Sequence, residues 1–276
     1  MDSKFNYETF TARNSGYIST ENQARMHELR LLIAGCGLGS STTICAARMG
    51  FCNFTLIDGD VVDMHNLNRQ FFDVDDINVP KVDALKKHIL KINPDAKVDA
   101  VHAYLDKNNT DALVKNADII FDTIDFLDLD AILSLHTSAK TYSKPVFTAL
   151  SIGPGAGVLF FPPGSKASLV DVISADIEKS KSEGDVSYTN VFSKIMGRIG
   201  AHLDKEVVER VAKALTIMED GRPCPASQIA VGSFTVAAMA VAMMHDWIAG
   251  RKIPEAPLLV AHSFKTHTSK LIDISG

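Results

Sequence analysis

The strongest folding signal in the chain is the sequence RLLIAGCGLGS at residues 30–40. Residues 30–34 form an almost continuous apolar run, which predicts a short buried strand. The three glycines that follow suit a tight turn, and residues 41–49 are typical of a helix. A second apolar run at 54–57 ends at Asp58. This order of strand, helix and strand predicts a βαβ unit and therefore a doubly wound, Rossmann-like α/β sheet.

The alternation of helices and strands continues to about residue 160. The predicted elements are a helix at 81–92, a strand at 97–104, a helix at 110–115, a strand at 118–121, a helix at 127–140 and a strand at 145–150. Gly153, Gly155 and Gly157 then punctuate a segment that ends at residues 160–163. We expect this segment to be antiparallel, so that parallel strands are followed by an antiparallel extension.

The chain has 276 residues, which is enough for one large domain with its own core. We expect an N-terminal arm and helix at 1–30, a nucleotide-binding core at 31–160 and a C-terminal extension at 161–276 within the same domain. Residues 164–190 are rich in Ser, Lys, Asp and Glu, which predicts a mobile excursion. Two packing helices are predicted to follow, near 191–215 and 226–249.

Composition and charge exclude several classes of protein. A hydrophobic fraction of 46% and a charged fraction of 22% exclude disorder and coiled coil as global descriptions. A net charge of −5 without a basic stripe does not favour a nucleic-acid partner. The four cysteines form no CxxC pair, so no structural zinc is expected. The N-terminus lacks the apolar segment of a signal peptide, and we expect a cytoplasmic protein.

One apolar stretch, residues 226–244, is nearly long enough to span a bilayer. It contains four polar residues and has no basic flank on either side. A buried helix rich in small residues, packed on the sheet, explains the stretch better than a membrane span. We therefore expect no membrane partner.

The glycine-rich turn indicates a nucleotide site. Gly35 permits the tight turn, Gly37 lets a phosphate approach the backbone, and the following helix offers N–H groups at its positive end. Ser40 replaces the third glycine and is small enough for helix–strand packing. Asp58 lies at the end of the second strand, where a carboxylate can accept hydrogen bonds from ribose hydroxyls. NAD and ATP both remain compatible at this point.

Further motifs favour ATP. Residues 66–70 read NLNRQ, Pro80 and Lys81 begin a predicted helix, and residues 122–125 read DTID after the fourth strand. Hydride transfer has no use for additional cations at the phosphates. A reaction that breaks a P–O bond needs cations where negative charge accumulates and a carboxylate to hold Mg²⁺.

The order GxGxxS, DxD, NLNRQ, PK and DxxD resembles the ThiF/MoeB/HesA family, the adenylating fold shared with ubiquitin-activating enzymes. The resemblance covers residues 10–160 closely and the remainder loosely, and NLNRQ is its most discriminating motif. It implies that ATP·Mg²⁺ adenylates the C-terminal carboxylate of a ubiquitin-like carrier protein or a peptide and that pyrophosphate is released. Residues 31–160 would then be the adenylation core.

The resemblance also implies roles for individual residues. The nucleotide would be contacted by Gly35, Gly37, Asp58, Asp60, Asn66, Arg69, Gln70 and Lys81. Among these, Asp58 would hold the ribose, while Asp60 could equally serve as a loop acceptor. The phosphates would be gripped by Asn66, Arg69, Gln70 and Lys81, of which Arg69 and Lys81 would also be catalytic. Asp125 would organise Mg²⁺, and Asp122 fits a structural role better.

Two further predictions concern residues outside the core. Residues 11–19, TARNSGYIS, resemble an arm pattern in which an arginine reaches the partner subunit's site. This resemblance makes Arg13 an arginine finger acting in trans and implies a homodimer; the alternative is a solvated arm residue. Cys224, before a small-residue helix, is a candidate thioester nucleophile whose pKa a helix N-terminus would lower. The alternative is an ordinary loop cysteine.

Other functions stay open. A non-catalytic partner subunit of an activating complex would keep the fold, although the presence of Arg69, Lys81 and Asp125 argues against an eroded site. A dehydratase that activates a tRNA-borne carboxylate would use the same chemistry, and a dehydrogenase is disfavoured by NLNRQ. The missing CxxC motifs, and the absence of cysteine at 150–190, weaken a sulfur-carrier assignment.

Overall fold

A computed structural model describes residues 5–126, 128–184, 187–219 and 227–275. Its centre is a sheet of eight strands in the order β3-β2-β1-β4-β5-β6-β7-β8. The strands are β1 (Arg30–Ala34), β2 (Asn53–Ile57), β3 (Lys97–Val101), β4 (Ile119–Asp122), β5 (Val146–Ser151), β6 (Gly155–Phe161), β7 (Leu258–Ser263) and β8 (Thr268–Asp273).

The sheet has a parallel half and an antiparallel half. Strands β1 to β5 pair in parallel, with Ile33 of β1 in register with Leu56 of β2 and Phe121 of β4. Strands β5 to β8 pair antiparallel, and β6 follows β5 after a short turn. The predicted fold class is therefore confirmed.

Ten α-helices are described. They are α1 (Tyr7–Thr11), α2 (Thr20–Glu28), α3 (Gly39–Met49), α4 (Lys81–Ile92), α5 (Thr110–Asn116), α6 (Leu129–Thr141), α7 (Leu169–Ser182), α8 (Tyr188–Ile199), α9 (Lys205–Glu219) and α10 (Ala230–Ile248). Helices lie on both faces of the sheet, because one buried cluster includes residues of α3, α4 and α10 and the other includes residues of α5 to α8.

The apolar stretch forms α10, which packs on α3 and on strands β5 and β6. Among the described residues, it is the one helix that is both long enough and apolar enough to cross a bilayer, judged by length and composition alone. Gly232 lies close to the turn between β5 and β6, because a Cβ there would meet Oγ of Ser151 at 2.5 Å and the carbonyl oxygen of Gly153 at 2.7 Å. The helix thus completes the core on one face of the sheet, as the sequence analysis expected.

The C-terminal extension contains elements that the sequence did not predict. Most of residues 164–190, which were predicted as a mobile excursion, belong to α7 and the start of α8. Leu169, Val172 and Ile173 of α7 are buried at helical spacing, which anchors the helix to the core. Strands β7 and β8 were not predicted, and they complete the antiparallel half of the sheet.

Candidate functional site

The candidate site is a cavity of about 700 Å³ at the carboxyl ends of the parallel strands. Strands β1, β2 and β4 lead directly into it, as expected for ligand sites in doubly wound sheets. Its lining brings together predicted site residues that are far apart in the sequence. They are Gly35, Gly37, Asp58, Asp60, Arg69, Gln70, Lys81 and Asp125.

The glycine-rich turn joins β1 to α3 with a backbone that only glycine adopts easily. Gly35 has φ of +88°, and a Cβ atom there would lie 2.6 Å from the carbonyl oxygen of Thr123. Helix α3 then begins at Gly39 without a side-chain cap from Leu38. The first N–H groups of α3 therefore suit a bound phosphate.

Two hydroxyl groups brace this turn. Ser40 is fully buried; its hydroxyl donates to the carbonyl of Gly37 (2.7 Å) and accepts from the N–H of Phe71 (2.8 Å). Thr123 donates to the carbonyl of Gly35 (2.6 Å). Ser40 thus does more than fill space, because it ties the glycine turn to the loop that follows NLNRQ.

Asp58 is fixed by the backbone around it. The N–H of Cys36 donates to its Oδ2 (2.7 Å), and the N–H of Asp60 donates to its Oδ1 (2.8 Å). Burial raises the pKa of Asp58 above its ordinary value, while the nearby charge of Lys81 acts in the opposite direction. Each carboxylate oxygen keeps acceptor capacity for a sugar hydroxyl, since an ionised carboxylate has about four lone-pair sites.

Lys81 is a buried cation at the start of α4. Its Nζ donates to Oδ2 of Asp60 (2.7 Å), and Tyr104 donates to Oδ1 of the same carboxylate (2.7 Å). Burial alone would raise the pKa of Asp60, but the hydrogen bonds from Lys81 and Tyr104 outweigh it and lower the pKa. The side chain of Lys81 is only 8% exposed, so its charge acts in a poorly solvated setting.

Arg69 is half-buried, and three hydrogen-bond acceptors hold its guanidinium in place. Its Nε donates to Oε1 of Gln228 (2.6 Å), and its NH1 group donates to the carbonyl of His65 (2.7 Å) and to Oδ1 of Asn68 (2.9 Å). Burial lowers the pKa of Arg69, while the negative charge of Asp125 acts in the opposite direction. These contacts fix the guanidinium in the cavity that the glycine turn also lines.

Asp125 and Gln70 complete this part of the lining. Asp125 is exposed and lies on the loop after β4. Its carboxylate is the oxygen ligand that Mg²⁺ prefers in phosphate sites, so the residue fits a metal held jointly with a nucleotide. Gln70 lies against Gly37, and its Oε1 is buried without a hydrogen-bond partner in the described part of the chain. A bound ligand often satisfies such a group.

Asp122 is buried and accepts hydrogen bonds within the protein core. His136 and Thr148 contact its Oδ2 at 3.0 Å each, and the N–H of Ile124 donates to its Oδ1 (3.2 Å). Asp122 is 2% exposed and does not line the cavity. The structural role expected for it agrees with this position, and the network fixes the loop that carries Asp125.

Three predicted residues do not join the cavity. Asn66 is buried, and its side chain accepts from the N–H of Asp63 (3.0 Å), so it caps the turn that leads to Arg69. Its predicted phosphate contact stays a prediction.

Arg13 is exposed on the N-terminal arm. The arm donates hydrogen bonds from Tyr7 and Asn14 to backbone carbonyls at the C-terminal end of α3, far from the glycine turn. Cys224 lies outside the described residues.

Sequence reasoning missed several lining residues. Thr123 lies inside the DTID motif but had no role assigned, whereas Tyr104 and Gln228 belong to no motif. Tyr104 ends the run taken for a strand, and Gln228 lies in the apolar stretch, where it was read only as a polar interruption. The residues of α8 and α9 that line the other half of the cavity carried no recognisable motif either.

Comparison with known proteins agrees with this geometry. The chain matches the ThiF family over residues 11–272. It is 32% identical over 110 residues to the SAMP-activating enzyme E1 of Haloferax volcanii, covering 39% of this chain and 41% of that protein. It is 31% identical over 114 residues to the molybdopterin-synthase adenylyltransferase of Haemophilus influenzae, covering 41% of this chain and 47% of that protein. The alignments thus span less than half of these two relatives.

A solved structure shares the fold. The chain is similar to E. coli MccB crystallised with ATP, with a TM-score of 0.67, 18% identity and coverage of 92% of this chain and 66% of MccB. MccB has also been crystallised with AMPCPP and MccA, for which the TM-score is 0.66, the identity 19% and the coverage again 92% and 66%. The family match covers nearly the whole chain, and this protein belongs to the ThiF family.

Proposed function

We propose that this protein catalyses the ATP-dependent adenylation of a carboxylate and releases pyrophosphate. One observation carries the proposal. A single cavity holds the uncapped start of α3, the cations Lys81 and Arg69, and the carboxylate of Asp125. Cations placed around phosphate groups are what a reaction that breaks a P–O bond requires. The relatives named as adenylyltransferase and activating enzyme support the same chemistry.

The proposed reaction needs no base. The acceptor carboxylate is already ionised at neutral pH and attacks the α-phosphorus of ATP through one oxygen. A new P–O bond forms to the acceptor, the bond between the α-phosphorus and the bridging oxygen breaks, and pyrophosphate leaves with that electron pair. Arg69 and Lys81 stabilise the charge that develops on the phosphates, and Asp58 holds the ribose.

Asp125 is the residue of this chain that would hold Mg²⁺ together with the nucleotide. When bound, Mg²⁺ would neutralise phosphate charge and favour departure of pyrophosphate. The proximity of Arg69 is consistent with this arrangement, because the charge of Asp125 acts on that guanidinium. Both residues line the same cavity, which supports the assignment.

The proposed acceptor is the C-terminus of a carrier protein or peptide. Two comparisons support this class of acceptor. The Haloferax relative is named as a SAMP-activating enzyme, and MccB was crystallised with MccA. The proposal also includes a homodimer in which Arg13 acts in trans and a cytoplasmic location. It further includes transfer of the acyl group from the adenylate to the Cys224 thiol, which forms a thioester and releases AMP and the thiol proton. A non-catalytic partner subunit is less well supported, because the cations and Asp125 are retained together in one cavity.

The test is calorimetric titration of ATP·Mg²⁺, with NAD⁺ as the comparison ligand, into the wild type and two arginine variants. Arg69→Ala removes the cavity cation, whereas Arg48→Ala makes the same change on the exposed side of α3. We expect ATP to bind the wild type and Arg48→Ala, to bind Arg69→Ala far more weakly, and NAD⁺ to give no signal. Tight NAD⁺ binding would contradict the proposal, and absence of ATP binding would favour the partner-subunit alternative.

Turnover is tested separately by ATP–pyrophosphate exchange with candidate peptides. Removing one group that stabilises developing charge typically lowers the rate by about 10²–10³. We therefore expect Arg69→Ala to remain folded and to lose nearly all exchange activity. Wild-type exchange in this variant would exclude the role assigned to Arg69.

A further inference from the structure

The cavity has a second half that the nucleotide-contacting residues do not explain. It extends from residues 149–154, at the end of β5, to the surfaces of α8 and α9. The side chains that α8, α9 and their connection contribute to it are mostly apolar. They include Phe192 of α8 and Val207, Val211, Ala214 and Met218 of α9. We call this surface the apolar wall.

The apolar wall follows helical spacing. On α9, Val207, Val211, Ala214 and Met218 recur at intervals of four, three and four residues and thus share one face. Such a stripe usually faces a protein core. Here it faces the same cavity as Arg69, which makes it a ligand-facing surface. A glycine-rich or charged chain end would leave this surface without an apolar partner.

The wall is elongated. Between Val207 and Met218 the helix rises about 16 Å at 1.5 Å per residue. An extended chain covers about 3.3 Å per residue, so about five residues of such a chain would lie along it. This length suits a peptide better than a compact small acid. The ring contact between Phe126 and Phe192, with centroids 5.7 Å apart, connects the wall to the loop that carries Asp125.

The wall is also held in place. Glu206, at the start of α9, pairs with Arg210 on the same helix and with Lys265 on the turn between β7 and β8. Ser263 of β7 donates to Oδ2 of Asp204 (2.6 Å), just before α9. The contacts of Lys265 and Ser263 connect the start of α9 to strand β7 and the turn that follows it.

We propose that the acceptor is an extended peptide end whose last residue carries a bulky apolar side chain. That side chain packs on the apolar wall while the terminal carboxylate lies near Arg69 and Asp125. This inference rests on the proposed adenylation, which assigns the other half of the cavity to ATP and thereby sets the orientation of the peptide. The substrate class follows from the apolar lining and from its length.

The test uses direct binding to the full-length protein, measured by calorimetry with α,β-methylene ATP and Mg²⁺ present. The probes are N-acetylated alanine pentapeptides that end in leucine, glycine or aspartate. Burying one large apolar side chain predicts that the leucine peptide binds about 10-fold to 100-fold more tightly than the glycine peptide. The aspartate peptide is also expected to bind more weakly than the leucine peptide, because its side chain makes no apolar contact with the wall.

A matched pair of variants locates the effect. Ala214→Glu introduces a charge on the apolar wall, and Ala212→Glu introduces the same charge on the exposed side of α9. We expect Ala214→Glu to abolish the preference for leucine while nucleotide binding is unchanged, and Ala212→Glu to retain it. Equal binding of the three peptides, no binding of any, or a preserved preference in Ala214→Glu would each overturn the proposal.

Pyrophosphate exchange with the same peptides separates this inference from the proposed function. A preference for leucine in binding without any exchange supports the apolar subsite and contradicts adenylation. Exchange that proceeds equally with all three peptides supports adenylation and contradicts the apolar subsite.

Discussion

Replacing Gly35 with alanine tests how the glycine turn supports the site. The new Cβ would lie 2.6 Å from the carbonyl oxygen and 2.8 Å from the carbonyl carbon of Thr123. A positive φ costs a residue with a side chain about 1–2 kcal/mol. Overpacking against neighbouring atoms typically costs a further 1–3 kcal/mol or so. We therefore expect the free energy of unfolding to fall by about 2–5 kcal/mol.

Gly164→Ala is the matched control. Gly164 has φ of +71°, but a Cβ there would meet no atom of the described residues within 4 Å. Only the conformational cost applies, so we expect a loss of about 1–2 kcal/mol. Urea denaturation followed by circular dichroism measures both variants against the wild type. Equal losses in the two variants would refute the claim that close contact with Thr123 is the reason for glycine at position 35.

The same pair of variants separates stability from function. A displaced Thr123 carbonyl moves the start of the loop that carries Asp125, and an altered turn misdirects the first N–H groups of α3. Gly35→Ala is therefore expected to lose ATP binding in calorimetry at temperatures where it is still folded. Gly164→Ala, far from the cavity lining, is expected to bind ATP like the wild type.

Two further predictions concern buried polarity and pH. Thr148→Val removes one hydrogen bond from the buried Asp122 and should lower the free energy of unfolding by about 1–3 kcal/mol. Thr141→Val, at an exposed position of α6, should change it by less than about 0.5 kcal/mol. Hydrogen bonds from two basic side chains lower the pKa of Glu206 from 4.5 to about 2. Its stabilisation is therefore complete above pH 4.5 and is lost as the pH falls towards 2, so the urea midpoints of wild type and Glu206→Gln should converge over that interval.

Local sequence patterns correctly predicted those elements in which the buried residues are apolar and recur at the period of a helix or a strand. Helix α4 spans Lys81–Ile92, as predicted, because its apolar residues recur at helical spacing and Pro80 fixes its start. Helix α7 was missed because its polar surface dominates the composition, although Leu169 and Ile173 are buried. Strand β8 was missed because it is an edge strand in which only Ile272 is buried.

In the candidate site, too, the residues that local motifs identify differ from those that only long-range contacts bring there. Residues within motifs, such as Asp58, Arg69 and Lys81, were identified because each motif fixes a local backbone shape. Tyr104 and Gln228 were not, because each reaches the site through a contact with a residue 44 or 159 positions away in the sequence. Such contacts depend on the order of strands and helices in space, which a single sequence does not state.

The pairing of Lys81 with Asp60 has a consequence for how an anion enters the cavity. A lysine with so little exposure already carries its own counter-ion, so an arriving phosphate does not meet a bare charge. We therefore expect the phosphate to compete for the ammonium group with the Asp60 carboxylate, which is 48% exposed. The net charge gained at this point is small. We therefore expect Lys81 to act on a phosphate mainly at short range and to contribute little to its long-range attraction.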